Sequence, residues 1–381
     1  MFDPKLIVSA TAAAAVVAAL VMLVGVWPAR KGRSGLATLL EVLAIGGGMV
    51  IGCWWLHVES RFPPIEDQDR LLLVLLPMTG VVEILAAGLG RRAWVGRVLR
   101  VLWALLVPAL LLFGSGWLPA TWTPGGDPTA ASTWTPQQAL AMLAGLGIAL
   151  AVVWGLLIRA AERPGGFAVP AALGLVTAAA GVCIMLSGSA SGGLIGLPFS
   201  GIAAGVLVIC LLFARMRATT GLVGVGTVLL FGMLMGGRFF GELTTTNFAL
   251  LLVAPLLCCL AAFAPLSRFK AVPRFVALLI LCLLPAGAAA GLAHHKFAAD
   301  TDISSAYSEE GAGGEAPKFG ESSPGASSAG GTASTEPAVP QSTADKRTSP
   351  QDPAAEEPAP AASSGAKRGP APIDPGEESK N

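Results

Sequence analysis

The chain has 381 residues, of which 54% are hydrophobic and 13% charged, with a mean hydropathy of +0.68 and a formal net charge of +1. This composition excludes an ordinary soluble domain, because unbroken apolar runs of about eighteen residues or more read as membrane spans. The small net charge hides a division: residues 1–296 carry nineteen Lys/Arg against ten Asp/Glu, and residues 297–381 carry six against fourteen.

Ten apolar runs are expected as helices, since backbone N–H and C=O groups in lipid need partners within their own segment. The first covers residues 6–27, with only Lys5 before it and Arg30, Lys31 and Arg33 after it; those flanks predict an uncleaved span instead of a secretory signal. The second, 35–56, contains Glu41 and a Gly48–Gly52 GxxxG spacing suited to close helix contact.

The most polar loop follows, stiffened by Pro63 and Pro64 and holding His57, Glu59, Glu66, Asp67 and Asp69. These five side chains form a candidate external polar site, as metal ligands or a general acid/base pair, although their spacing matches no known metal motif. His294 and His295, after the last span, are candidate additional nitrogen ligands. The third run, 71–90, contains Glu83.

Runs four to ten fall at residues 98–118, 137–158, 169–187, 194–214, 220–237, 246–264 and 275–292. Thr135 followed by Pro136 predicts an N-cap and first helical position for the fifth. The sixth and seventh are separated only by the Ser/Gly stretch 187–193, which leaves a re-entrant hairpin as an alternative to two crossings. Arg238 and Glu242 stand four apart at the end of the eighth and are expected to form a surface pair. Prolines 77, 108, 198, 255 and 285 lie inside runs, and further GxxxG spacings begin at Gly201, Gly232 and Gly287. All six cysteines are in apolar runs, so no disulfide and no metal site is predicted.

Basic residues flanking the runs are unevenly shared. Fourteen lie in the odd-numbered gaps and five in the even-numbered gaps and at the outer ends. The positive-inside rule then places the odd gaps in the cytoplasm and both termini outside, in an inner or plasma membrane. Trp27, Trp54, Trp55, Trp117, Trp122 and Trp134 fall at run ends, where an amphipathic ring prefers the headgroup zone. Residues 297–381, rich in Ala, Gly, Pro, Ser and Glu, are expected as a disordered acidic tail.

The expected architecture is therefore an all-α integral membrane protein: a bundle of about ten transmembrane helices over residues 1–296, followed by that tail. Glu41 and Glu83 are its intramembrane carboxylates, each roughly 10 Å from the cytoplasmic ends of consecutive helices. Each shares its helix stripe with small residues, so both are expected to face other helices. They are a candidate proton- or cation-coupling pair; the alternative is a structural role, protonated or paired with Arg33, Arg91 or Arg92. A transporter or permease for a small solute is the leading functional expectation. A membrane scaffold or assembly factor, recruiting a protein partner through an exported tail, is the alternative. An enzyme ranks last, because the sequence has no P-loop, Rossmann fingerprint, GxSxG or HExxH. The lipid bilayer is the expected environment; no cofactor and no nucleic-acid partner are expected.

Overall fold

The computed structural model describes residues 3–312 except 32–33, 59, 65, 90–92, 123–131, 164–167, 214–219 and 263–270. Most of the described residues are helical, and none of them forms a strand. In chain order the helices are α1 (Pro4–Arg30), α2 (Ser34–Trp55), α3 (Asp67–Gly88), α4 (Ala93–Leu112), α5 (Pro136–Ala161), α6 (Ala168–Leu186), α7 (Ala190–Leu212), α8 (Thr220–Phe239), α9 (Thr245–Val253) and α10 (Ala271–Ala312). Among the described residues, nine of these are long and apolar enough to cross a membrane; α9 is the exception. Of the expected tail, residues 297–381, the part up to Ala312 is helical and continues α10; the rest of it and Glu59 lie outside the described residues. Helix α10 itself runs well past its expected end near Leu292.

The core holds large side chains such as Trp154, Phe199, Phe231 and Leu150, but where α1 joins the bundle small residues face inward and large aliphatic ones outward. On α1, Ala10, Ala14, Ala18 and Met22 recur every four residues and are fully buried, whereas Val8, Val16, Leu20 and Val24 are exposed. The buried stripe lies on α2 and α7. A Cβ at Gly48 would stand 2.6 Å from Ile202 and one at Gly52 2.5 Å from Pro198, so the GxxxG face of α2 admits α7. Gly201 and Gly205 on α7 receive the backbone carbonyls of Thr11 and Ala15 of α1 so closely that a Cβ would overlap them. The third spacing is also used, with Leu71 against Gly232 and Asp67 against Gly236. Among the described residues, a Cβ at Gly287 or Gly291 would meet nothing within 4 Å.

Helices α6 and α7 form an antiparallel pair of full-length helices. Gly188, at φ +87°, makes the turn: its N–H donates to Met185 O and that of Ser189 to Ile184 O, each at 3.2 Å, which closes a Schellman motif that glycine enters without strain. The pair stays in contact along its length, Gly193 on Gly181 and Ala203 on Gly174. Residues 187–189 are thus the turn between two long helices.

Two helices change winding beside a proline. In α3, residues Leu71–Leu75 form a π-turn just before Pro77, whose missing N–H leaves the preceding carbonyls without their usual donor. In α9 the winding tightens at Ala254, next to Pro255, into a 3₁₀ stretch Ala254–Ala262. At 1.5 Å per residue for the α part and 2.0 Å for the 3₁₀ part, the combined rod is about 31 Å long.

Thr135 caps α5 as its sequence predicts, and the cap is reciprocal. Its Oγ1 accepts from Gln138 N at 3.4 Å, and Gln138 Oε1 accepts from Thr135 N at 3.1 Å. Thr135→Ala removes one half of this box and is expected to lower stability by about 1 kcal/mol, read as a small drop in the thermal unfolding midpoint of purified protein.

Helix α8 is the axis of the bundle. It touches α2 to α7 and α9, and 89% of its central window is buried. Six glycines from Gly221 to Gly237 let side chains of α2, α3, α6 and α7 approach its backbone. Both candidate sites are organised at its ends.

Candidate functional site

At the N-terminal end of α8 the two intramembrane carboxylates converge. Glu41, on α2, is 1% exposed; its oxygens accept from the backbone N–H of Leu222 at 2.8 Å and of Gly221 at 3.3 Å. These are orphan donors of a helix start, so a side chain from another helix caps α8. Glu83, on α3, is fully buried and lies so near Gly224 that a Cβ there would overlap its carboxylate. Gly221 and Gly224 are three apart on one face of α8, so the two acids occupy adjacent positions on the same stripe.

Glu83 has three donors from two further helices. Arg100 of α4 is bidentate, Nε to Oε1 at 3.0 Å and an Nη to Oε2 at 2.5 Å, and Trp154 Nε1 of α5 donates to Oε1 at 3.1 Å. One turn away, Trp103 Nε1 donates to Thr79 Oγ1 at 2.9 Å, and the Thr79 hydroxyl donates to Leu75 O at 2.6 Å. The stripe Thr79–Glu83 therefore meets the stripe Arg100–Trp103 along α3 and α4. The cation beside Glu83 is Arg100; Arg33, Arg91 and Arg92 lie outside the described residues.

The C-terminal end of α8 opens into a cleft of about 900 Å³. Its walls come from the turn and loop after α2, the α6–α7 turn, and Phe240, Gly241 and Glu242 after α8. Of the external residues singled out by sequence, His57, Glu66 and Asp69 line it. His57 is exposed and held at φ +54°, with its Nδ1 3.1 Å from Trp55 O. Asp69 is buried at 3% exposure and accepts from Arg61 N at 3.1 Å. Asp67 turns instead toward α8, with its Oδ2 2.7 Å from where a Gly236 Cβ would stand. His294 and His295 are exposed on α10 and do not line the cleft. Among the described residues, no three His, Cys, Asp or Glu side chains gather in a metal-ligand set.

Two contacts fix the frame of this mouth. Arg70 donates to the carbonyls of Leu111 and Phe113, placing a cation at the C-terminal end of α4. Trp117 Nε1 donates to Phe239 O at 2.9 Å, and the rings of Trp117, Trp134 and Phe239 pack mutually at 5.5–5.6 Å. The expected Arg238–Glu242 pair does not form. Helix α8 ends at Phe239, so the two residues do not share a helix face; Arg238 Nε donates to Thr245 Oγ1 at 3.1 Å and Lys296 Nζ donates to Glu242 Oε2 at 3.1 Å.

The sequence reading left out Arg100 and Trp154 as partners of Glu83. A guanidinium eight residues into an apolar helix, with Trp103 one turn beyond it, was the available signal. It also left out Ser187, Ser189 and Ser191 as cleft residues, although their Ser/Gly composition marked the break they occupy. The cleft thus offers carboxylates, hydroxyls and one imidazole in a volume suited to a small polar molecule. No protein-family model, no curated protein and no solved structure matches this chain.

Proposed function

We propose that the chain is a multi-pass permease for a small polar solute, held in a state open on one side of a membrane. The observation that carries this reading is the placement of the two sites on one helix. A polar cleft sits at the C-terminal end of α8, and the buried Glu41 and Glu83 contacts close its N-terminal end, roughly 30 Å away. The bias of basic residues supports placing the cleft outside the cytoplasm and the carboxylates near the cytoplasmic face of an inner or plasma membrane. The roughly 31 Å rod of α9 and its 3₁₀ extension is long enough to serve as a tenth crossing, which returns both termini to the outer side.

In this reading Glu41 and Glu83 are the coupling pair. Protonation of Glu83 cancels its attraction for Arg100, and loss of charge on Glu41 weakens its hold on the α8 start. The first change loosens α3 from α4, and the second frees the inner end of α8 from α2. The π-turn of α3 against Gly232, midway between the sites, is the point where such a movement would bend.

The test is paired accessibility in a background without native cysteines, with single cysteines at Ser189 in the cleft and Thr220 at the closed end. Glu83→Gln is expected to slow labelling of Ser189→Cys from the outer side and to speed labelling of Thr220→Cys from the inner side, using a membrane-impermeant maleimide. Arg100→Gln should shift both rates in the same directions. Unchanged rates at both positions in both variants would mean a rigid bundle and would remove the permease reading.

A further inference from the structure

The cleft at the C-terminal end of α8 holds a buried charge that the fold leaves without a counter-ion. Asp69 lines the cleft at 3% exposure, and its Oδ1 accepts from Arg61 N at 3.1 Å. Among the described residues, its other oxygen accepts from no donor, and no cation forms an ion pair with it. Arg70, next along the chain, is engaged elsewhere, donating to the carbonyls of Leu111 and Phe113. Glu83 is the contrast: that buried acid holds both a guanidinium and an indole N–H.

A carboxylate that has lost its water is ordinarily paired, because an isolated charge is costly to bury. The rest of the lining narrows what can supply the pairing. Glu66 and Glu242 add two carboxylates, set against the Arg61 guanidinium and the His57 imidazole. Lys296 of α10, which is not in the lining, donates to Glu242 Oε2 at 3.1 Å. Carboxylates thus outnumber cations even with Lys296 counted, and the resulting field disfavours a carboxylate or phosphate solute. A neutral polyol would leave Asp69 unpaired. A bare metal ion needs several ligands at once, and among the described residues no three His, Cys, Asp or Glu side chains gather. An ammonium group meets these conditions. Its N–H donors find further acceptors in the Ser189 hydroxyl and the Gln68 side-chain carbonyl, and Leu194 and Phe240 of the same lining suit an apolar body attached to it.

We infer that this cleft binds a small organic molecule carrying a primary ammonium, with Asp69 as its counter-ion. Such an amine is then the solute of the proposed permease, an identification that rests on that reading, whereas binding in the cleft requires no movement of the bundle.

Isothermal titration calorimetry of the full chain in detergent at neutral pH, with protein-free micelles as the blank, compares phenethylammonium, phenethyl alcohol and hydrocinnamate. The amine is expected to bind, and the neutral and anionic analogues to bind weaker by about tenfold or more. Asp69→Asn keeps an acceptor for Arg61 N while removing the charge, and is expected to weaken the amine by about tenfold or more. Lys296→Met changes a half-exposed residue outside the lining and releases Glu242; it is expected to strengthen the amine roughly twofold to threefold, a reading that stands even if Asp69→Asn fails to fold. Absence of amine binding, equal affinity for amine and alcohol, full amine affinity in folded Asp69→Asn, or weaker binding in Lys296→Met would each overturn the assignment. Amine binding with unchanged maleimide rates at Ser189→Cys and Thr220→Cys would keep the ligand and remove the permease. Shifted rates without amine binding would keep the permease and remove the ligand.

Discussion

Arg100→Met is expected to be among the most damaging single substitutions in this protein, lowering stability by roughly 3–5 kcal/mol, because it strands the buried Glu83 carboxylate without its cation. Glu83 is fully buried and the Arg100 side chain only 19% exposed, so solvent does little to compensate. Trp154 Nε1 remains as a single neutral donor. The double variant Glu83→Gln/Arg100→Met is expected to recover a large part of the loss, since Gln keeps an acceptor for Trp154 and leaves no unpaired charge. Denaturant titration of purified protein in detergent, run as a double-mutant cycle, measures both. If Arg100→Met costs less than about 1 kcal/mol, the pair is no more than a surface-type contact.

The second large effect is steric and belongs to α7. Gly205→Val is expected to destabilise by about 3 kcal/mol or more, because its Cβ would overlap the carbonyl of Ala15, a backbone atom that cannot swing aside. Helix α1 must then move away from α7, exposing the alanine stripe that fills the gap. Gly291→Val is the matched control: among the described residues nothing lies within 4 Å of its Cβ position, so its effect should stay near ±0.5 kcal/mol. Thermal unfolding of the two variants side by side reads the contrast. Equal losses would mean that GxxxG spacing alone, and not contact, sets the cost.

The same contrast shows what could be read from the sequence. Apolar run length placed the helices to within a few residues at most ends, since length and composition are what crossing a membrane requires. The order of helices inside the bundle was not readable that way. Helix α8 is the least apolar of the nine long helices and yet the most buried, because glycine, not leucine, lets helices approach. Hydropathy thus ranks the central helix last.

Glycine spacing identified contact faces at Gly48, Gly201 and Gly232 and gave the same signal at Gly287, where a Cβ would meet nothing among the described residues. Only tertiary structure separates these cases. For the acids, the small-residue stripe around Glu41 and Glu83 correctly implied inward-facing side chains. Their partners were hidden for two reasons: Arg100 counts toward an interface when helices are read one at a time, and the Gly221 and Leu222 donors are backbone groups that no residue pattern displays.

The functional account requires the two ends of α8 to open onto opposite faces of a membrane. Lys31, exposed after α1 at the end where Glu41 meets α8, and Ser189, in the cleft, mark those two ends. In a background without native cysteines, an impermeant maleimide applied to intact cells should label Ser189→Cys and should reach Lys31→Cys only after permeabilisation. Labelling of both positions in intact cells, or of Lys31→Cys alone, would contradict the account.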